Sequence, residues 1–182
     1  NNSFRPTFRY DQNNLTCALG RRVVKGKNLI AVRVEVESLS DGLIDAFYLF
    51  GKFGVRRWKS DGLRLGAVSE RGTAANLDSN RLPFYAGTVS YTHELPIKKP
   101  DGKRFRIALD KEFKDTEDVI EILINGHSLG TRLWSPYSWE GQSSWIKTGR
   151  NRVTIRCTNT LSRLLTGKRF NHRSHRMVNV KV

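Results

Sequence analysis

Apolar and polar residues alternate along several short stretches of this chain, the two-residue period of a β-strand with one face buried. Ile30, Val32, Val34 and Val36 alternate with Ala31, Arg33, Glu35 and Glu37; Phe105, Ile107 and Leu109 alternate with Arg104, Arg106 and Ala108; Val153, Ile155 and Cys157 alternate with Thr154, Arg156 and Thr158. Val119 to Ile124 is a continuous β-rich apolar run that ends at Asn125-Gly126. That dipeptide suits a type I′ turn, which needs positive φ at both central positions, so the chain must reverse there. The return leg, His127 to Leu133, leads into an aromatic loop, Trp134-Ser135-Pro136-Tyr137-Ser138-Trp139, and Gly149 to Asn151 forms the next turn.

Elsewhere the pattern is weaker. Residues 1 to 16 read as an irregular lead-in, and Ala46 to Val55 as a strand broken by glycines. Residues 59 to 81 read as mostly loop, with short strands around Leu63, Leu65 and Val68. Thr88 to Leu95 is a strand, Pro96 to Gly102 a turn, and Asp110 to Asp118 a charged connection. Leu161 to Leu165 fits a short helical turn, followed by a basic tail over residues 166 to 182. No helix of ordinary length emerges, and eight to ten strands at this spacing predict an all-β sandwich.

One segment occurs twice. Gly26-Lys27-Asn28-Leu29-Ile30-Ala31-Val32-Arg33-Val34 matches Gly149-Arg150-Asn151-Arg152-Val153-Thr154-Ile155-Arg156-Cys157, a Gly-basic-Asn turn followed by a strand of the same phase. Two accounts stand open. Residues 1 to 45 are the tail of a preceding β-domain, or both strands belong to one sandwich and share turn chemistry.

The order of these parts resembles a known family. Ile122-Leu123-Ile124-Asn125-Gly126-His127-Ser128-Leu129-Gly130, then an aromatic-Pro-aromatic loop, then Lys147 to Ile155, is similar to the sugar-binding jelly-roll domain of glycoside hydrolase family 2 enzymes and large α-L-rhamnosidase-like proteins. Leu82-Pro83-Phe84-Tyr85-Ala86-Gly87 leading into Thr88 to Tyr91 resembles that family's entry motif. The resemblance spans residues 46 to 165. It implies a jelly-roll sandwich of the galactose-binding-domain type, with residues 1 to 45 before it and the basic tail of 166 to 182 after it. It also implies a non-catalytic module in a larger secreted or periplasmic glycoside hydrolase, with neighbouring domains of the parent enzyme as partners. Calcium often accompanies such domains, although no compact acidic cluster assigns a site. The absence of a leading Met fits a module cut from a longer protein.

Charge changes the picture. Lys and Arg number 32 against 17 Asp and Glu, and between Gly141 and Val182 the basic residues include Lys147, Arg150, Arg156, Lys168 and Arg176 with no acidic one. Such a surface attracts polyanions, or is a solvated face that keeps the chain soluble. Nucleic acid is a rival partner, but no RNP-like, helix-turn-helix or zinc-finger pattern is present. No apolar run has the length of a membrane span. Cys157 shares an apolar face with Val153 and Ile155 and reads as a buried thiol. A jelly roll also allows a disulfide to Cys17 if the first and last strands are neighbours.

Catalytic chemistry has little to stand on. Asp110, Glu112, Asp115, Glu117, Asp118 and Glu121 crowd one connection rather than flanking a cleft. Of the four histidines, His93, His127, His172 and His175, the last two are three apart without Cys, Asp or Glu to complete a zinc set, and read as surface residues. Sugar recognition pairs aromatic platforms with charged or amide hydrogen-bond partners. Arg132, Trp134, Tyr137, Trp139 and Glu140 supply that mixture within nine residues. Trp58, beside Arg56 and Arg57, and Tyr85 are further candidates, and Trp145 is assigned to the core. The expected ligand is a polysaccharide or oligosaccharide, with an acidic one suggested by the arginines. The alternative is a structural accessory domain whose aromatic loop forms a protein interface.

Overall fold

The computed structural model describes residues 5–7, 14–39, 42–43, 46–59, 62–72, 77–109, 118–171 and 174–182. The chain divides into two compact units, Asn1–Leu49 and Phe50–Val182.

In the first unit, β1 (Arg5–Thr7) pairs antiparallel with β2 (Asn14–Thr16), and a single 3-10 turn follows at Gly20–Arg22. The alternating segment from Ile30 to Val36 joins no ladder among the described residues, and Leu29 is 89% exposed. The expectation of a half-buried strand fails here. Alternation becomes a strand only where a neighbour takes up the backbone hydrogen bonds and a facing layer covers the apolar side.

The second unit carries β3 (Gly54–Trp58), β4 (Gly62–Gly66), β5 (Thr88–Ile97), β6 (Arg104–Ala108), β7 (Val119–Ile124), β8 (His127–Arg132), β9 (Ser138–Gln142) and β10 (Gly149–Thr158). After these come the helical turn α1 (Ser162–Thr166), β11 (Lys168–Asn171) and β12 (Arg176–Asn179). A four-stranded antiparallel sheet runs β5-β10-β7-β8, and hairpins β3-β4, β11-β12 and the pair β6-β9 complete the sheets. The strand expected over Ala46 to Val55 is confined to Gly54 onward, and β5 continues two residues beyond Leu95. Pro96 lies on β5, an edge strand, the position in a sheet where proline is found.

The Asn125-Gly126 turn has positive φ at both positions, 51° and 89°, as a type I′ hairpin requires. Between β7 and its neighbours the core forms: Ile120, Ile122, Ile124, Tyr137, Trp139 and Ile146 are buried together. Phe105 and Ile107 of β6 pack against them, so the β6-β9 pair and the four-stranded sheet share one apolar layer. Gly141 permits this approach. A Cβ on it would lie 2.5 Å from Phe105 Cζ and 2.6 Å from Leu129 Cδ2.

In the basic tail β11 pairs antiparallel with β12, and the Lys181 amide donates to the Asp78 carboxylate at 2.9 Å. Arg163, buried on α1, forms an ion pair with the same carboxylate. Cys157 is buried, Cys17 is half-buried, and no disulfide joins them. The acidic residues 110 to 117 and His172 lie outside the described residues.

Candidate carbohydrate-binding cleft

The site grows out of strand register. In the β6-β9 pair Arg106 stands opposite Glu140, Arg104 opposite Gln142, and Ile107 opposite Trp139. Because side chains alternate across a strand, Phe105, Ile107 and Trp139 go to the core while Arg104, Arg106, Ser138 and Glu140 share the outer face. Arg132, the last residue of β8, and the loop from Leu133 to Pro136 border that face. Together Arg104, Arg106, Leu129, Arg132, Trp134, Ser135, Pro136, Ser138 and Glu140 line an open cleft of about 670 Å³.

Its polar groups are held in place. Arg104 pairs with Glu140 at 3.0 Å, and Arg106 Nε donates to Ser138 Oγ at 2.6 Å. Arg132 Nε donates to the Ser138 carbonyl at 3.0 Å and Nη1 to the Thr131 carbonyl at 3.1 Å. Its guanidinium lies 5.9 Å from the Trp139 ring centroid. Trp134 is 72% exposed and presents its ring at the border of this cluster of guanidiniums.

Two of the expected contact residues are not available. Trp139 is 1% exposed, with its indole N–H donating to the Gly130 carbonyl at 2.8 Å, and Tyr137 is 6% exposed, with its hydroxyl donating to the Asp118 carbonyl at 3.3 Å. Their rings stack on each other at 6.3 Å. A ring enclosed on both faces cannot stack on a sugar. Trp139 is inward because Ser138–Gln142 forms β9 rather than continuing the loop that the Pro-containing aromatic run predicts. Burial also raises the Tyr137 hydroxyl above its ordinary pKa of 10.0.

Of the other candidates, Trp58 lies on the β3-β4 hairpin with the Arg64 guanidinium 3.2 Å over its ring, so one face is covered. Tyr85 is half-buried and donates its hydroxyl to the Thr88 carbonyl at 3.0 Å. Neither lines the cleft. Trp145, assigned to the core, is only half-buried and stacks on His127 with centroids 5.1 Å apart. Conversely Arg104 and Arg106 were missed as site residues, although their outward phase on β6 was legible. Their link to the aromatic loop depends on β6 pairing with β9. Among the described residues no group of three His, Cys, Asp or Glu comes together to hold a metal ion.

No protein-family profile and no curated protein matches the chain. Parts of solved structures do. A beta-D-glucuronidase from Dictyoglomus thermophilum is 18% identical over 60% of this chain and 18% of that one, with a TM-score of 0.35. A GH2 beta-galacturonidase from Eisenbergiella tayi, bound to galacturonate, is 15% identical over 59% and 18% of the two chains, with a TM-score of 0.37. A rhamnosidase from Novosphingobium sp. PP1Y is 19% identical over 83% and 14%, with a TM-score of 0.41. The chain thus spans less than a fifth of the length of each of these enzymes.

Proposed function

We propose that this chain is a non-catalytic carbohydrate-binding part, of jelly-roll build, in a larger extracellular or periplasmic glycoside hydrolase, and that its ligand is an acidic glycan. The observation that carries this reading is the convergence of Arg104, Arg106 and Arg132 with the exposed ring of Trp134 around one open cleft. The guanidinium fork matches a carboxylate or sulfate bidentately. The indole face takes the C–H face of a sugar ring, and Glu140 and Ser138 offer partners to hydroxyls. Trp58 and Tyr85 are then peripheral, and Tyr137 and Trp139 support the site from beneath.

The test is a binding screen against neutral, uronate and sulfated polysaccharides at low and high salt, with Trp134→Ala and Arg106→Ala beside the wild type. Salt-resistant binding to one acidic class, weakened by roughly tenfold or more in Trp134→Ala, is the expected result. Retention that is salt-labile, indifferent to glycan and unchanged in both variants would sink it. A second reading is favoured by one observation: Leu133, 58% exposed, stands beside Trp134, an apolar pair suited to docking on a neighbouring domain. On that account Trp134→Ala leaves every glycan unaffected and weakens domain association instead.

A further inference from the structure

The chain contains one turn twice. Asn28 Oδ1 accepts from the Val24 amide at 2.9 Å, and its Nδ2 donates to the carbonyls of Val24 at 2.8 Å and Gly26 at 3.1 Å. Asn151 Oδ1 accepts from the Lys147 amide at 2.8 Å, and its Nδ2 donates to the carbonyls of Lys147 at 2.9 Å and Gly149 at 2.8 Å. Both turns pivot on a glycine of positive φ, 107° at Gly26 and 91° at Gly149. Carried forward at the same offset, Ile30, Val32 and Val34 fall on Val153, Ile155 and Cys157, and Arg33 falls on Arg156. The repeat in sequence is therefore a repeat in hydrogen-bond geometry, which shared composition alone would not give.

What covers the two copies differs. Asn151 lies near the start of β10, the inner strand between β5 and β7. The segment after Asn28 joins no ladder among the described residues, and Ile30, Val32 and Val34 are 53%, 36% and 44% exposed. Asn151 is 1% exposed and accepts a further bond from Asn125 Nδ2, at 2.8 Å, in the β7-β8 turn, whereas Asn28 is exposed. Arg156 stands opposite Glu121 of β7 and meets it at 3.1 Å. Arg33, 87% exposed, meets only an acid of its own segment, Glu35 at 2.8 Å, among the ion pairs of the described residues. An alternating apolar segment of this kind is a template for strand addition, and the second copy displays the chemistry of what adds.

We infer that Ile30 to Val36 is the counterpart of β10 in another β-sheet of the same build, and that a preceding β-domain of the parent protein supplies its partner. That partner is an antiparallel hairpin like β7-β8, with aliphatic residues facing Ile30, Val32 and Val34, a carboxylate opposite Arg33, and an Asn-Gly turn seated on Asn28. The charge complementarity fixes the register as well as the partner, since a slip of one residue would move Arg33 to the other face.

The probe is the β7-β8 sequence itself, residues 118 to 132, joined ahead of Asn1 by a flexible Gly-Ser linker that holds it at about millimolar effective concentration. Amide hydrogen exchange is read at residues 30 to 36, with and without the addition. Protection at Val153, Ile155 and Cys157 of β10, which the fused segment does not duplicate, reports in the same samples that each variant is folded. The expected result is exchange slowed by about tenfold or more in the fused chain. Arg33→Glu should abolish that protection, and Glu121→Arg made in the fused copy should restore it to the Arg33→Glu chain. Exchange unaffected by the fusion, or slowed whatever the charges at the two positions, overturns the assignment. So does slowing in the unfused chain that grows with protein concentration, which would make a second copy the occupant.

Discussion

Trp134 and Trp139 stand five positions apart and do opposite jobs. Trp139 fills the space between the β6-β9 pair and the four-stranded sheet, with its indole N–H satisfied inside. Truncating it leaves a cavity that close-packed neighbours cannot fill, and Trp139→Ala should cost about 3–5 kcal/mol in a urea unfolding experiment. Trp134 touches mostly solvent. Trp134→Ala should leave the unfolding free energy within about 0.5 kcal/mol of wild type, the usual span for exposed positions, while weakening the proposed glycan binding by roughly tenfold or more. Equal stability losses in the two variants would show that the exposed ring is part of the fold and leave the cleft without its platform.

At the scale of elements, β7 is the strand on which the sheet depends, and Glu121 ties it to both neighbours. Ser128 Oγ of β8 donates to its Oε1 at 2.7 Å, and Arg156 of β10 donates to its Oε2 at 3.1 Å. The Ser128 hydroxyl first, and Arg156 after it, hold the carboxyl below its usual pKa of 4.5 against the opposing effect of burial. A lowered folded-state pKa stabilises the fold above the unfolded value, and that contribution is lost as pH falls from about 4.5 through the lower folded value. Thermal melts of Glu121→Gln across this window should therefore show a shallower fall in stability with acid than the wild type does. The Gly149 turn is the second anchor. Asn151→Ala strips partners from the part-buried Lys147 amide and from Asn125, and should cost about 1–3 kcal/mol by the scale of unmet hydrogen bonds at a buried residue. Asn28→Ala, at the exposed copy of this turn, should leave the same transition unmoved.

On the whole molecule the net charge is +15, enough to draw any polyanion towards the chain by long-range attraction alone. Screening shortens that attraction to about 8 Å at physiological salt, whereas bidentate contacts in a cleft persist. Retention on a sulfated matrix should thus separate into two parts as salt is raised: a labile part common to wild type and Arg106→Ala, and a resistant part present only in the wild type. Loss of all retention in both chains at the same salt would assign the affinity to diffuse charge. The division into two units sets where each effect is read, since the cleft belongs to Phe50–Val182 and the exposed alternating segment to Asn1–Leu49.

Local sequence was enough for the mostly-β architecture, the Asn125-Gly126 reversal, the phases of β6 and β10, and the repeated Gly-basic-Asn turn. Each is a local matter of period two, positive φ or an asparagine bonding to backbone within four residues. Tertiary structure alone decided which alternating segments found partners. The same pattern is an inner strand after Asn151 and an exposed segment after Asn28, because pairing depends on chain far away in sequence. It also decided that β11 and β12 pair with each other near Asp78. The site was divided in the same way. Arg132, Trp134 and Glu140 could be named from the sequence, but only the β6-β9 register turned Trp139 inward and set Arg104 and Arg106 beside Arg132.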